Sequence, residues 1–98
     1  MRLTKYEQEA IKQSFLETFG SGQIYLFGSR VDDSLKGGDI DLYLLLDEKY
    51  SQAILFEKKL DFLGQIQEKI GHQKIDIIIS KDTKRSIEQE ARKTGVML

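Results

Sequence analysis

The sequence predicts an α/β domain of the α+β kind, with a small mixed sheet of about three strands flanked by helices. Three observations predict it. Short apolar runs alternate with longer segments of helical periodicity. The first two apolar runs are joined by a polar loop too short for a parallel crossover, so their strands should be antiparallel neighbours. The second and third are joined by a long amphipathic segment, which permits a parallel crossover.

The first helix runs from Thr4 to Phe19. Thr4 and Glu7 have capping-box spacing, and Gly20 is a C-terminal stop. Ile11, Phe15, Leu16 and Phe19 recur at three-to-four spacing and make an apolar stripe. Ser21-Gly22 is a turn, and Gln23 to Phe27 is strand one. Gly28 to about Asp33 reads as a short helix or turn, and Lys36-Gly37-Gly38 as a loop. Asp39 to Leu46 is strand two. Its period of two puts Ile40, Leu42, Leu44 and Leu46 on a face buried against helices, and Asp39, Asp41 and Tyr43 on the other.

Ser51 to about Ile70 is a long helix. Ile54, Leu55, Lys58, Phe62, Ile66 and Ile70 follow its spacing loosely, and Phe56, Leu60, Leu63 and Gln67 widen the stripe. Gly71 ends it. Gln73 to Ser80 is strand three. Asp82 or Thr83 is a candidate cap for a final helix running to about Thr94, with Gly95 after it. The placement of the apolar tail Val96-Met97-Leu98 is left open. No repeat, linker or low-complexity segment interrupts this order, so residues 1–98 read as a single domain.

Composition narrows the function. The 98 residues, about 40% hydrophobic, suffice for one modest core. A net charge of −1 supplies no global basic field, which argues against tight, sequence-independent binding to long nucleic acid. A nucleotide, needing a few local positive groups, remains open as a ligand. The absence of cysteine excludes disulfides and thiolate zinc sites and is compatible with a reducing compartment. No apolar h-region follows Met1, and no run approaches the roughly 18 apolar residues of a membrane helix. The expectation is a cytoplasmic protein with no membrane partner.

The chemistry concentrates at Asp39-Ile40-Asp41. On a strand the two carboxylates point the same way, roughly 6–7 Å apart. Like charges so placed repel unless a cation lies between them, and hard divalent cations prefer carboxylate oxygens. A third carboxylate, Asp76, sits inside the apolar run Ile75 to Ile79, where an unpaired charge is costly. By itself Asp76 reads equally as a strand-edge residue paired with Lys74 or a backbone amide. Tyr43 either packs beneath the carboxylates or stacks a base. His72, the sole histidine, reads as a surface loop residue, and Lys58-Lys59 and Lys84-Arg85 as solvated helix faces.

The stretch Ile24-Tyr25-Leu26-Phe27-Gly28-Ser29-Arg30, followed by Gly37-Gly38-Asp39-Ile40-Asp41-Leu42-Tyr43-Leu44, resembles the signature of the DNA polymerase β-like nucleotidyltransferase superfamily. The small size resembles its minimal branch, the MNT proteins, typically encoded beside a helical HEPN partner as a toxin–antitoxin pair. The spacer of nine residues between Ser29 and Asp39 is one shorter than the common family pattern, and Gly38 stands where many relatives carry Ser.

The resemblance implies a polymerase β-like fold in which Asp39, Asp41 and Asp76 are the catalytic and metal-binding carboxylates. They would hold two Mg2+ ions, with ATP as substrate and Asp76 as general base. Gly28, Ser29, Arg30 and Gly38 would bind the nucleotide. Gly28 lets the backbone approach the phosphates, Ser29 offers a hydroxyl and an amide, and Arg30 offers a bidentate cation. It further implies a protein adenylyltransferase that moves AMP to a hydroxyl, a tyrosine above all, of a HEPN toxin, and so acts as its antitoxin. The alternatives are a non-catalytic module that neutralises a helical partner by occlusion, and a free-standing nucleotidyltransferase for a small molecule or RNA end.

Overall fold

Local sequence fixes the ends of the first two helices in the computed structural model, which describes residues 3–28 and 39–98. Helix α1 spans Lys5–Phe19 behind a complete capping box: the Glu7 amide donates to Thr4 Oγ1 at 3.0 Å, and Glu7 Oε1 accepts from the Thr4 amide at 3.0 Å. Gly20, at φ +82°, closes it by donating its amide to the Leu16 carbonyl at 2.8 Å. Helix α2 spans Gln52–Ile70, capped by Ser51 and stopped at Gly71. Helix α3 spans Ser86–Thr94, shorter than the sequence predicts. Neither Asp82 nor Thr83 caps it; Arg85 holds the N-cap position with no side-chain bond. Asp82 instead accepts from the Lys84 amide at 2.9 Å and shapes the turn before the helix.

The strands are β1 (Gln23–Phe27), β2 (Ile40–Leu45), β3 (Ile75–Ile79) and β4 (Val96–Met97). They form one mixed sheet in the order β3-β2-β1-β4. Strands β1 and β2 are antiparallel, with Phe27 opposite Asp41; β2 and β3 are parallel through the α2 crossover, with Asp41 opposite Asp76. Both orientations agree with the loop-length argument. The fourth strand is an addition to the sequence reading: the apolar tail pairs antiparallel with β1, Val96 opposite Leu26, and the Leu98 amide donates to the Ile24 carbonyl at 2.9 Å.

One sheet face carries the core. Ile24, Leu26, Ile40, Leu42, Leu44 and Ile77 pack there against Ile11, Phe15 and Phe19 of α1 and Phe62 and Ile66 of α2. Phe62 is the hub, with its ring 6.1 Å from that of Phe15 and 5.9 Å from that of Phe19, both edge-on. Three readings of the stripes need correction. Leu16 is exposed, because Phe15 and Phe19 set the buried face of α1 and Leu16 lies a step around from them. Ile54, Phe56 and Leu60 are exposed on the outer flank of α2. Lys58 is not simply solvated: its Nζ donates to the Thr18 carbonyl at 2.9 Å and lies 5.1 Å over the Tyr50 ring, tying α2 to α1. No helix among the described residues is long and apolar enough to cross a membrane.

Candidate active site

The second sheet face carries the polar constellation. Asp39 precedes β2, and Asp41 lies two residues on, so both look to the side away from the core. Parallel register sets Asp76 beside Asp41 on the next strand, and antiparallel register sets Phe27, the residue before Gly28, on its other flank. Asp41 therefore has one carboxylate beside it across the sheet, Asp76, and another two residues back along the chain, Asp39. The Asp41 pKa is raised above 3.8, first by burial, then by the charge of Asp76 and that of Asp39. Asp39 is steadied by Lys74, whose Nζ is 3.4 Å from Oδ2. Asp76 is exposed.

Gly28 closes the site from beneath. Its φ is +79°, a conformation that side chains disfavour. A Cβ there would overlap Asp41 Oδ2 and come within 3.2 Å of Asp41 Cγ. Gly28→Ala is expected to cost roughly 1–2 kcal/mol for the left-handed backbone alone. It should also displace the Asp41 carboxylate. Thermal unfolding should report the first effect and a transfer assay the second, as a rate loss of at least about tenfold.

Ser29, Arg30 and Gly38 lie outside the described residues, as do Lys36, Gly37 and most of the short helix or turn read from Gly28 onward. His72 is exposed after the helix-ending Gly71.

Among the described residues, no three His, Cys, Asp or Glu side chains stand close enough together to hold a metal ion as they are placed. The donor chemistry nevertheless suits a hard divalent cation: two flanking charges raise the pKa of Asp41, and an ion between the carboxylates would relieve that repulsion.

Beside this row is a second buried polar group that the sequence reading missed. Tyr43, two residues beyond Asp41, is wholly buried, with its ring 5.9 Å from that of Tyr25. It packs rather than facing solvent for a base to stack on. Its hydroxyl donates to Glu88 Oε1 at 2.9 Å. Glu88 is also wholly buried and accepts from Ser80 Oγ (2.6 Å) and from the amides of Asp82 (2.9 Å) and Lys81 (3.0 Å), with Arg85 Nη1 at 3.5 Å. Arg85 is thus a partner of a buried carboxylate and not merely a solvated charge. The Glu88 carboxylate staples α3 and the turn after β3 onto β2, behind the Asp row. Ile87 points outward and Glu88 inward, the reverse of what hydropathy suggests; the available signal was Ala91 three residues on, which is also buried.

A family model described as Polymerase beta, Nucleotidyltransferase matches residues 9–98 of the chain. A comparison with curated proteins gives no match.

Proposed function

The chain belongs to the polymerase β nucleotidyltransferase family, and we propose that it transfers AMP from ATP to a tyrosine hydroxyl of a HEPN-type partner, which it thereby silences as an antitoxin. The observation that carries the reading is Asp41, flanked by Asp39 and Asp76 and backed by a glycine whose missing side chain makes room for its carboxylate. The mutual repulsion in this row supports a role in holding cations that accompany a triphosphate.

Asp39 and Asp41 would hold Mg2+, with Asp76 completing the set. When bound, the metal supplies charge neutralisation for the triphosphate and acidifies the acceptor hydroxyl. The protein's own groups do the rest. By the family resemblance, the backbone of Gly28 and Gly38, the hydroxyl of Ser29 and the guanidinium of Arg30 would bind the phosphates. Lys74, its Nζ 3.4 Å from Asp39 Oδ2, adds a positive charge beside the carboxylates. Asp76, exposed on β3, accepts the hydroxyl proton. The acceptor oxygen forms a bond to the α-phosphorus, the bond to the bridging oxygen breaks, and pyrophosphate leaves with that electron pair.

The test is intact-mass spectrometry of the chain incubated with the product of the neighbouring gene, Mg2+ and ATP. An AMP-sized increment on the partner, absent with Asp39→Asn/Asp41→Asn, is the expected result. A stable complex with no increment from any nucleoside triphosphate would overturn catalysis and leave occlusion of the partner.

A further inference from the structure

The sheet has an open side. Among the described residues no strand pairs with the outer edge of β3. The Ile40 amide donates to the Lys74 carbonyl and the Ser80 amide to the Leu44 carbonyl, each within the β2 ladder. By the period of two in a parallel pair, the even residues of β3 turn their backbone groups to β2. The amides and carbonyls of Ile75, Ile77 and Ile79 therefore face outward. Proteins usually blunt such an edge with charge, a bulge or a covering element. Here Asp76 is the one charge on β3, and the uncharged remainder, Ile77 to Ile79, borders a groove of about 460 Å³ between β3 and the first half of α2.

The groove is apolar within and basic at its margin. Leu55, Phe56 and Ile77 to Ile79 line it, and Phe56 is 62% exposed. Its charged lining residues are Lys59, Lys81 and Arg85, all cationic. A second copy of this chain would bring those cations together, which disfavours self-pairing. Single-stranded nucleic acid would want stacked aromatics, whereas the walls are mainly aliphatic. An extended polypeptide satisfies all three features: backbone bonds to the Ile75, Ile77 and Ile79 groups, apolar side chains over Leu55 and Phe56, and acidic side chains against the cations.

We propose that the β3 edge is a docking site for an extended, acidic and apolar segment of a partner protein, which adds to the sheet as a fifth strand. The inference does not rest on the catalytic reading, since no carboxylate of the Asp row lines the groove.

The test is an amide-resolved NMR titration with a panel of acetylated, amidated octapeptides alternating Val, Ile or Phe with Glu or Asp. Members of the panel should shift and protect amides of Ile75 to Lys81 and shift those of Gln52 to Lys59. The isomer N-methylated on the amides that face β3 should lose binding, and the isomer methylated on the other amides should keep it. Lys59→Glu/Lys81→Glu, checked for folding by the unchanged remainder of the spectrum, should weaken binding at least about tenfold. No shift at millimolar peptide, equal shifts from Lys-containing counterparts, shifts from oligothymidylate in their place, or a free protein already dimeric through this edge would each overturn the proposal.

Discussion

Asp41→Asn is expected to abolish nucleotide transfer, by about 10³-fold or more, while leaving the fold at least as stable as before. The two effects have one cause. Asp41 has a raised pKa through burial and then through Asp76 and Asp39, so its ionised form is disfavoured in the folded chain. The folded state retains the proton more strongly than the unfolded one. Its contribution to stability is thus full below the unfolded value of 3.8 and is lost as pH rises through the raised folded value. At neutral pH the charge destabilises the protein, and the isosteric amide removes it. A site that gives up stability for function behaves in this way. Mg2+ should raise the thermal midpoint of the parent and not that of Asp39→Asn/Asp41→Asn. A variant that unfolds more readily than the parent, or one that keeps its activity, would be incompatible with the role assigned to Asp41.

Glu88→Ala should be strongly destabilising, at about 3 kcal/mol, because it removes the acceptor that four donors share at the margin of the core. The Tyr43 and Ser80 hydroxyls and the amides of Lys81 and Asp82 would all lose their acceptor. For a chain of this size the thermal midpoint should fall by more than roughly 10 °C. The pH dependence has the opposite sign to that of Asp41. Burial by itself would raise the Glu88 pKa, but the hydrogen bonds from Ser80, from the Asp82 and Lys81 amides and from Tyr43 outweigh it and hold the group at about 2, against an ordinary 4.5. A depressed folded value contributes stability above 4.5 that is lost as pH falls toward about 2. Glu88→Gln should flatten the denaturation profile over that window. If the parent and Glu88→Gln lose stability in parallel as pH falls, the carboxylate is not what anchors α3.

The two halves of the site differed in how legible they were. The Asp row could be read because alternation along a strand is a local rule: Asp39 and Asp41 share a face wherever β2 lies, and the short loop before them forces an antiparallel β1. The crossover through α2 then brings Asp76 level with Asp41. The Glu88 network could not be read in the same way. Hydropathy sends a glutamate outward, and its four donors come from residues 6 to 45 positions away in sequence. The same limit applies to β4, whose two residues are too few for a period and which is defined by the edge of β1 that it meets. In α2 apolar residues spread around more than one face: Leu60 lies roughly 160° around the axis from Phe62, and Phe56 lies near Leu60, so both stay exposed while Phe62 is buried. The exposure of Phe56 contributes to the groove beside β3.

The most direct test of the proposed transfer is a labelling experiment with two forms of ATP, one radioactive at the α-phosphate and one at the γ-phosphate. Each is incubated with the chain, its partner protein and Mg2+. Covalent label on the partner from the α-labelled form alone, with labelled pyrophosphate released from the γ-labelled form and neither event with Asp39→Asn/Asp41→Asn, is the predicted result. Label arriving from the γ-phosphate, or α-label transferred undiminished by the double variant, would contradict nucleotidyl transfer by the Asp39, Asp41 and Asp76 row.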